Sequence, residues 1–231
     1  VSLGSAETTL MDLTSAYASF VNGGKKITPI LVDKVQDRRG KTIFNSKQIE
    51  CIGCDKFSKD SKEFPKIKYN HERVFSEETA YQIVSILEGA VKRGTGKKLR
   101  NLNVPIAGKT GTTNNNFDAW FVGFTSNLVI GVYVGFDNPK TLGKYETGSK
   151  AALPIFKDFV KKSIFKDEFK AFNIPKGIFF KSIDYDTGIM VNFGAKNSIV
   201  ESFKSKDINS KSNNKLISNY NYDKLIKFRQ F

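Results

Sequence analysis

A lysine, three threonines and two glycines stand together at Gly108-Lys109-Thr110-Gly111-Thr112-Thr113-Asn114. Lys109 supplies a positive charge that can hold a substrate carboxylate or help in proton transfer. Thr110 and Thr112 offer hydroxyls, and Gly111 lets a ligand lie against the chain with no Cβ in the way. The backbone N–H just beyond can help to stabilise an oxyanion. Gly-Lys-Thr also ends a Walker A loop, but that reading fails. A P-loop needs a glycine five residues before Gly108, where Asn103 stands. It also needs a helix after the threonine, whereas Asn114-Asn115-Asn116 turns the chain back into a hairpin. The other candidate, Gly94-Thr95-Gly96-Lys97, has Val91 where the first glycine belongs.

A cation and hydroxyls act together only if rigid elements hold them. Residues 106–113 read as a strand, 118–125 as a second, and 128–136 as a third, with Ser126-Asn127 joining the last two. The second and third are apolar almost throughout, which predicts burial on both faces and helices on both sides of the sheet. Connections this short make the pairing antiparallel. The covering helices are legible. Thr9 with Asp12 is a capping box, Leu10, Leu13, Tyr17 and Phe20 follow near the helical period, and Gly23-Gly24 stops the helix. Ser76 caps a second helix, with Glu77 and Glu78 where its dipole favours anions. Its apolar stripe is Ala80, Ile83, Val84, Leu87 and Val91, and Gly94 ends it. A third helix is expected over 151–162. The fold class is therefore α/β of the α+β type.

Other segments serve no evident chemistry. Residues 27–36 and 41–44 flank Asp37-Arg38-Arg39-Gly40, a hairpin signal. Residues 45–73 are rich in Lys and Ser with no apolar period, and read as a loop. Residues 177–184 and 189–193 flank Asp186-Thr187-Gly188 as another hairpin. From about Ser202, Lys, Ser and Asn dominate, which predicts a basic, disordered tail over 202–231.

The totals bound the class. The 231 residues suffice for one domain with a real core, and 39% are hydrophobic. No apolar run is long enough to span a membrane, and no signal peptide opens the chain. It begins at Val1 rather than Met, so an anchor or export signal is expected upstream. The net charge of +14 is spread along a lysine-rich chain rather than gathered into a nucleic-acid reader, so no nucleic-acid partner is expected. The only cysteines, Cys51 and Cys54, form a C-x-x-C pair, and His71 is the only histidine. That is too few ligands for zinc. Local pairing in an oxidising compartment, or two idle thiols, is expected instead. Neither a metal nor a cofactor is called for.

Lys-Thr-Gly on a strand is also the third motif of penicillin-binding proteins and serine β-lactamases. The triplet alone is weak evidence, and its context is strong. Gly94-Thr95-Gly96 precedes it, and Asp118-Ala119-Trp120-Phe121-Val122-Gly123-Phe124-Thr125 follows. Then come Gly135-Phe136-Asp137, Glu146-Thr147-Gly148-Ser149 and Ala151-Ala152-Leu153-Pro154-Ile155-Phe156. Leu3-Gly4-Ser5-Ala6-Glu7-Thr8-Thr9, Ser15-Ala16-Tyr17-Ala18 and Asn22-Gly23-Gly24 stand near the start. In that order the chain closely resembles the transpeptidase domain of class A penicillin-binding proteins of the 1A type, the bifunctional peptidoglycan synthases. The likeness covers 1–166 as the C-terminal part of that domain. It extends loosely over a C-terminal hairpin extension, 167–201.

The resemblance implies a partial penicillin-binding transpeptidase or serine β-lactamase-like fold, its antiparallel sheet covered by helices on both faces. It implies peptidoglycan cross-linking at the periplasmic face of the bacterial inner membrane, with D-Ala-D-Ala stem peptides as partners. Lys109 and Thr112 would be catalytic, and Lys109, Thr110, Gly111, Thr112 and Thr113 would bind substrate. The N–H of Thr112 would form half of the oxyanion hole. The family's order is Ser-x-x-Lys, Ser-x-Asn, then Lys-Thr-Gly, and neither of the first two precedes Lys109. Ser163-Ile164-Phe165-Lys166 and Ser212-Asn213-Asn214-Lys215 come after it and read as accidents. The nucleophile, and with it covalent β-lactam binding, is therefore expected in a missing upstream half. In the family the strand at 128–136 is internal, so here it is expected to be an open, apolar edge. The rival readings are a catalytically inactive stem-peptide-binding module, a β-lactamase or carboxypeptidase, and a basic nucleic-acid-binding protein.

Overall fold

The computed structural model describes residues 6–46, 49–53, 64–163 and 170–205. Its centre is a three-stranded antiparallel sheet in the order β5-β6-β7, formed by Ala107–Thr112, Ala119–Phe124 and Val129–Val134. Lys109 faces Val122 across β5 and β6, and Val122 faces Gly131 across β6 and β7. The expected strands, their antiparallel pairing and the burial of the middle one on both faces are present, but β7, expected to be buried likewise, buries only Val132 because it lies at the edge of the sheet. Phe121 and Phe124 project to opposite faces of β6, and both are fully buried.

Helices cover both faces. On the Phe121 face lies α3, Ala152–Ser163, where Leu153, Phe156 and Val160 pack with Phe121, Ala119 and Val132. The rings of Phe121 and Phe156 meet edge to face with centroids 4.8 Å apart. On the other face lies α1, Leu10–Val21, capped by Thr9 as its spacing with Asp12 requires. Gly131 lets it approach, since a Cβ there would run into Thr14 and Leu10. Helix α2, Glu77–Lys92, is capped by Ser76 and runs beside β5. Its Val84 and Leu87 join Ala107 and Phe124 on the α1 face, while Val91 joins the α3 core. Beyond α2, a 3-10 helix at Lys97–Leu102 buries Leu99 and Leu102 in that core.

Outside this core the structure departs from expectation in three places. The hairpin over 27–44 is shorter than expected: β1 is only Lys34–Gln36, paired with β2, Thr42–Asn45. Pro29 removes a backbone donor from the stretch before it. Residues 45–73 are not simply a loop, because β3, Ile49–Ile52, pairs antiparallel with β4, Lys66–Tyr69. Every residue of β4 is exposed, and a hairpin with no buried face leaves no apolar period to read. Cys51 on β3 is disulfide-bonded, while Cys54 lies outside the described residues.

The third departure is at the C-terminal sheet. The expected hairpin is β8, Ile178–Asp184, with β9, Met190–Val191. A further strand, β10, Ser198–Lys204, pairs along the other side of β8, so the order is β10-β8-β9. Extended structure thus continues past Ser202, where the tail was expected to begin. The tail beyond 205 lies outside the described residues, as do Lys166 and the string Ser212–Lys215. This sheet docks on α2, where Tyr81 packs against Ile178 and Phe180. Arg93 pairs with Glu201 at 2.7 Å.

Candidate active site

Strand β5 carries Lys109, Thr110, Gly111 and Thr112 along one side of the central sheet, beside β6 and away from β7. Side chains alternate across a strand, so Lys109 and Gly111 share the α1 face and Thr110 and Thr112 share the α3 face. The backbone alternates too. The Thr113 N–H donates to the Asp118 carbonyl at 3.1 Å, which makes that a hydrogen-bonded pair. Antiparallel pairs alternate, so Lys109 and Gly111 bond to β6 while Thr110 and Thr112 turn their N–H and C=O groups outward. Lys109 agrees with this parity: its Nζ donates to the Thr110 carbonyl at 2.8 Å, around the outer edge of the strand. An ammonium and the outward N–H of Thr112 therefore line one edge.

Each threonine hydroxyl has a distant partner. The Thr110 and Thr95 hydroxyls are 2.9 Å apart, which ties β5 to the turn after α2. The Gly148 N–H donates to Thr112 Oγ1 at 3.0 Å. Gly148 sits over the Gly111 peptide: a Cβ there would come within 2.5 Å of the Gly111 carbonyl oxygen and closer still to that of Trp120. The loop around it is braced, with Thr147 and Ser149 hydroxyls 3.0 Å apart and Lys98 Nζ donating to the Ser149 carbonyl at 3.4 Å. Neither Thr95 nor Gly148 was singled out from the sequence as a site residue. Each stood within a family string, but nothing local links it to β5.

Thr113 lies just past β5, and its hydroxyl accepts the Asp118 N–H at 2.8 Å. It closes the β5–β6 connection. In that connection Asn115 and Asn116 adopt positive φ, and the Asn116 carbonyl accepts the Leu142 N–H at 2.9 Å. On the Lys109 face, the Trp120 and Tyr133 rings meet at a tilt of 56° with centroids 4.7 Å apart. The Tyr133 hydroxyl donates to Asp118 Oδ1 at 2.8 Å. That hydrogen bond, with lesser effects of burial and of the Asp118 and Asp137 charges, pushes the Tyr133 hydroxyl above its usual range. The result is an edge bearing a cation, two oriented hydroxyls and an outward N–H, beside an aromatic shelf. Such an edge suits an extended ligand that ends in a carboxylate.

Residues 1–161 match the family described as the penicillin binding protein transpeptidase domain. Penicillin-binding protein 1A of Rickettsia prowazekii is 43% identical over 222 residues, covering 94% of this chain and 28% of that protein. Penicillin-binding protein 1A of Pseudomonas aeruginosa is 30% identical over 237 residues, covering 90% of this chain and 29% of its own length. The chain thus spans less than a third of these relatives. Among solved structures, penicillin-binding protein 1A of Haemophilus influenzae superposes with a TM-score of 0.71 at 34% identity, covering 88% of this chain and 33% of that one. PonA1 of Mycobacterium tuberculosis in complex with penicillin V shares the fold, with a TM-score of 0.51 at 24% identity, over 73% of this chain and 42% of that one. The chain belongs to the penicillin-binding protein transpeptidase family.

Proposed function

We propose that this chain forms the Lys-Thr-Gly wall of a serine-type D,D-transpeptidase that cross-links peptidoglycan, and that the nucleophile comes from a segment upstream. The observation that carries the reading is the outer edge of β5, where Lys109 Nζ reaches the outward-facing carbonyl of Thr110. A stem peptide ending in D-Ala-D-Ala lies along this edge. Lys109 and the Thr110 and Thr112 hydroxyls hold its terminal carboxylate, and Gly111 leaves room for its backbone. The serine attacks the penultimate carbonyl, the bond to the last D-Ala breaks, and that residue leaves with a proton on its amine. The Thr112 N–H supplies one oxyanion donor during the attack. A neighbouring stem's amine then takes the acyl group and frees the serine. Thr113 supports the edge by closing the connection to β6.

β-Lactams acylate the same serine, and so need the half that carries it. The disulfide at Cys51 supports work in an oxidising compartment, at the periplasmic face of the inner membrane. No helix among the described residues is long and apolar enough to cross that membrane.

The test is intact-mass measurement of the 231-residue chain after incubation with a penicillin. No added mass is expected, and restoring an upstream segment that carries Ser-x-x-Lys should give one stoichiometric adduct. An adduct on the chain alone, mapped to Ser163, would overturn the assignment.

A further inference from the structure

Thr112 is held by a contact that the family motif does not describe. Its hydroxyl oxygen accepts the Gly148 N–H at 3.0 Å, across 36 residues of chain. A threonine hydroxyl has one hydrogen to give and two lone pairs to receive. Once a lone pair is taken by Gly148, the rotor is fixed about Cα–Cβ and the hydrogen remains for something else. A carboxylate accepts and cannot donate, so a hydroxyl held in this way presents what a carboxylate needs. The neighbouring hydroxyl is arranged similarly. Thr110 pairs with Thr95 at 2.9 Å, so the two threonines on this face are each restrained from a different loop.

We infer that Gly148 is a positioning residue: its peptide N–H orients the Thr112 hydroxyl so that its proton points toward a bound carboxylate. The residue type follows from the geometry. The Gly148 Cα rests on the Gly111 peptide, and a Cβ would collide with backbone oxygens of Gly111 and Trp120 rather than with a side chain that could swing away. The position is thus closed to every residue with a side chain, although the φ of Gly148 is not among the positive values that favour glycine. The loop behind it is pinned independently of Thr112. The Thr147 carbonyl accepts the Ala151 N–H at 2.8 Å, and the Gly148 carbonyl accepts the Leu153 N–H at 2.9 Å at the start of α3. Leu153 is fully buried, so the donor that holds Thr112 is referred back to the hydrophobic core.

The inference deepens the carboxylate-binding reading above and rests on it. Two measurements on the full 231-residue chain separate them. The first is hydrogen exchange at the Gly148 amide, which needs no ligand. Thr112→Val, which keeps the shape of the side chain but removes the acceptor, should speed exchange at Gly148 roughly tenfold. Thr112→Ser should leave it close to the parent rate. The second is NMR titration with N-acetyl-D-alanyl-D-alanine and with its C-terminal amide. The parent should bind the acid and lose roughly tenfold in affinity for the amide. Thr112→Ser, which keeps both the acceptor and the hydroxyl, should retain this discrimination, and Thr112→Val should lose it.

If Gly148 exchange is unchanged in Thr112→Val, the inferred contact is wrong, whatever the peptide does. Retention of the acid–amide discrimination in Thr112→Val also overturns it, because the hydroxyl that Gly148 holds would then not meet the carboxylate. If exchange responds but the parent does not distinguish acid from amide, the contact stands and the carboxylate-binding reading falls, taking the positioning role with it.

Discussion

Gly111 and Gly123 lie on neighbouring strands, yet a methyl group would act differently at each. At Gly111 the tightest contact of an added Cβ is with Trp120 Cβ, at 3.1 Å, which a small shift relieves. At Gly123 it meets the Phe121 ring at 2.6 Å and the Phe156 ring at 2.7 Å, both fully buried. Gly123→Ala is therefore expected to lower stability by about 1–3 kcal/mol through overpacking, and Gly111→Ala by less. Urea denaturation should show this as a lower midpoint with an unchanged slope. The placing of Lys109, Thr110 and Thr112 on one strand was legible in the sequence because adjacent residues on a strand keep a known relation to one another. Their partners were not. Thr95 reaches Thr110 across 15 residues and Gly148 reaches Thr112 across 36, and these separations close only once two loops are folded onto the sheet. Thr113 shows the opposite limit: its type fitted the motif, but its hydroxyl is engaged by the Asp118 amide.

At the scale of elements, legibility followed burial. The helices α1 and α2 could be read to their caps, because Thr9 and Ser76 satisfy the first-turn amides that every helix leaves open. The strands β5, β6 and β7 could be read because the central one is buried on both faces. The strands β3 and β4 could not, since neither patterning nor core marks an exposed hairpin. Between β8 and β9, turn chemistry took the place of apolar pattern: Asp184 accepts from the Thr187 N–H at 2.9 Å and the Thr187 hydroxyl at 2.8 Å. These bonds, the backbone one foremost, hold the Asp184 carboxyl below its usual range. Its folded value then lies below its unfolded one. Its contribution is present above the unfolded value and is lost as pH falls through the folded value. The turn is expected to loosen only below the ordinary aspartate range. The Thr187 amide resonance should report this on acid titration, and Asp184→Asn should flatten the response.

At the scale of the whole molecule, the central sheet ends at β7 among the described residues. The pairing that faces Thr125 with Leu128 sets the parity, so Val129, Gly131 and Tyr133 turn their N–H and C=O groups outward from that edge. Such an edge is a template for another strand. The isolated chain is expected to self-associate with rising concentration, measured by sedimentation, and a monomer at high concentration would remove the edge as a cause. Opposite this edge stands α2, with Val84 and Leu87 in one core, Val91 in a second and Tyr81 in a third. Gln82 within this helix and Arg93 at its C-cap bind β10, through Ser202 and Glu201. A helix that serves three cores cannot melt for one of them alone. The central sheet and the C-terminal sheet are therefore expected to share a single melting transition in calorimetry. The exposed hairpins of β1 to β4, whose described residues join none of those cores, are expected to open and close without it, which hydrogen exchange would show.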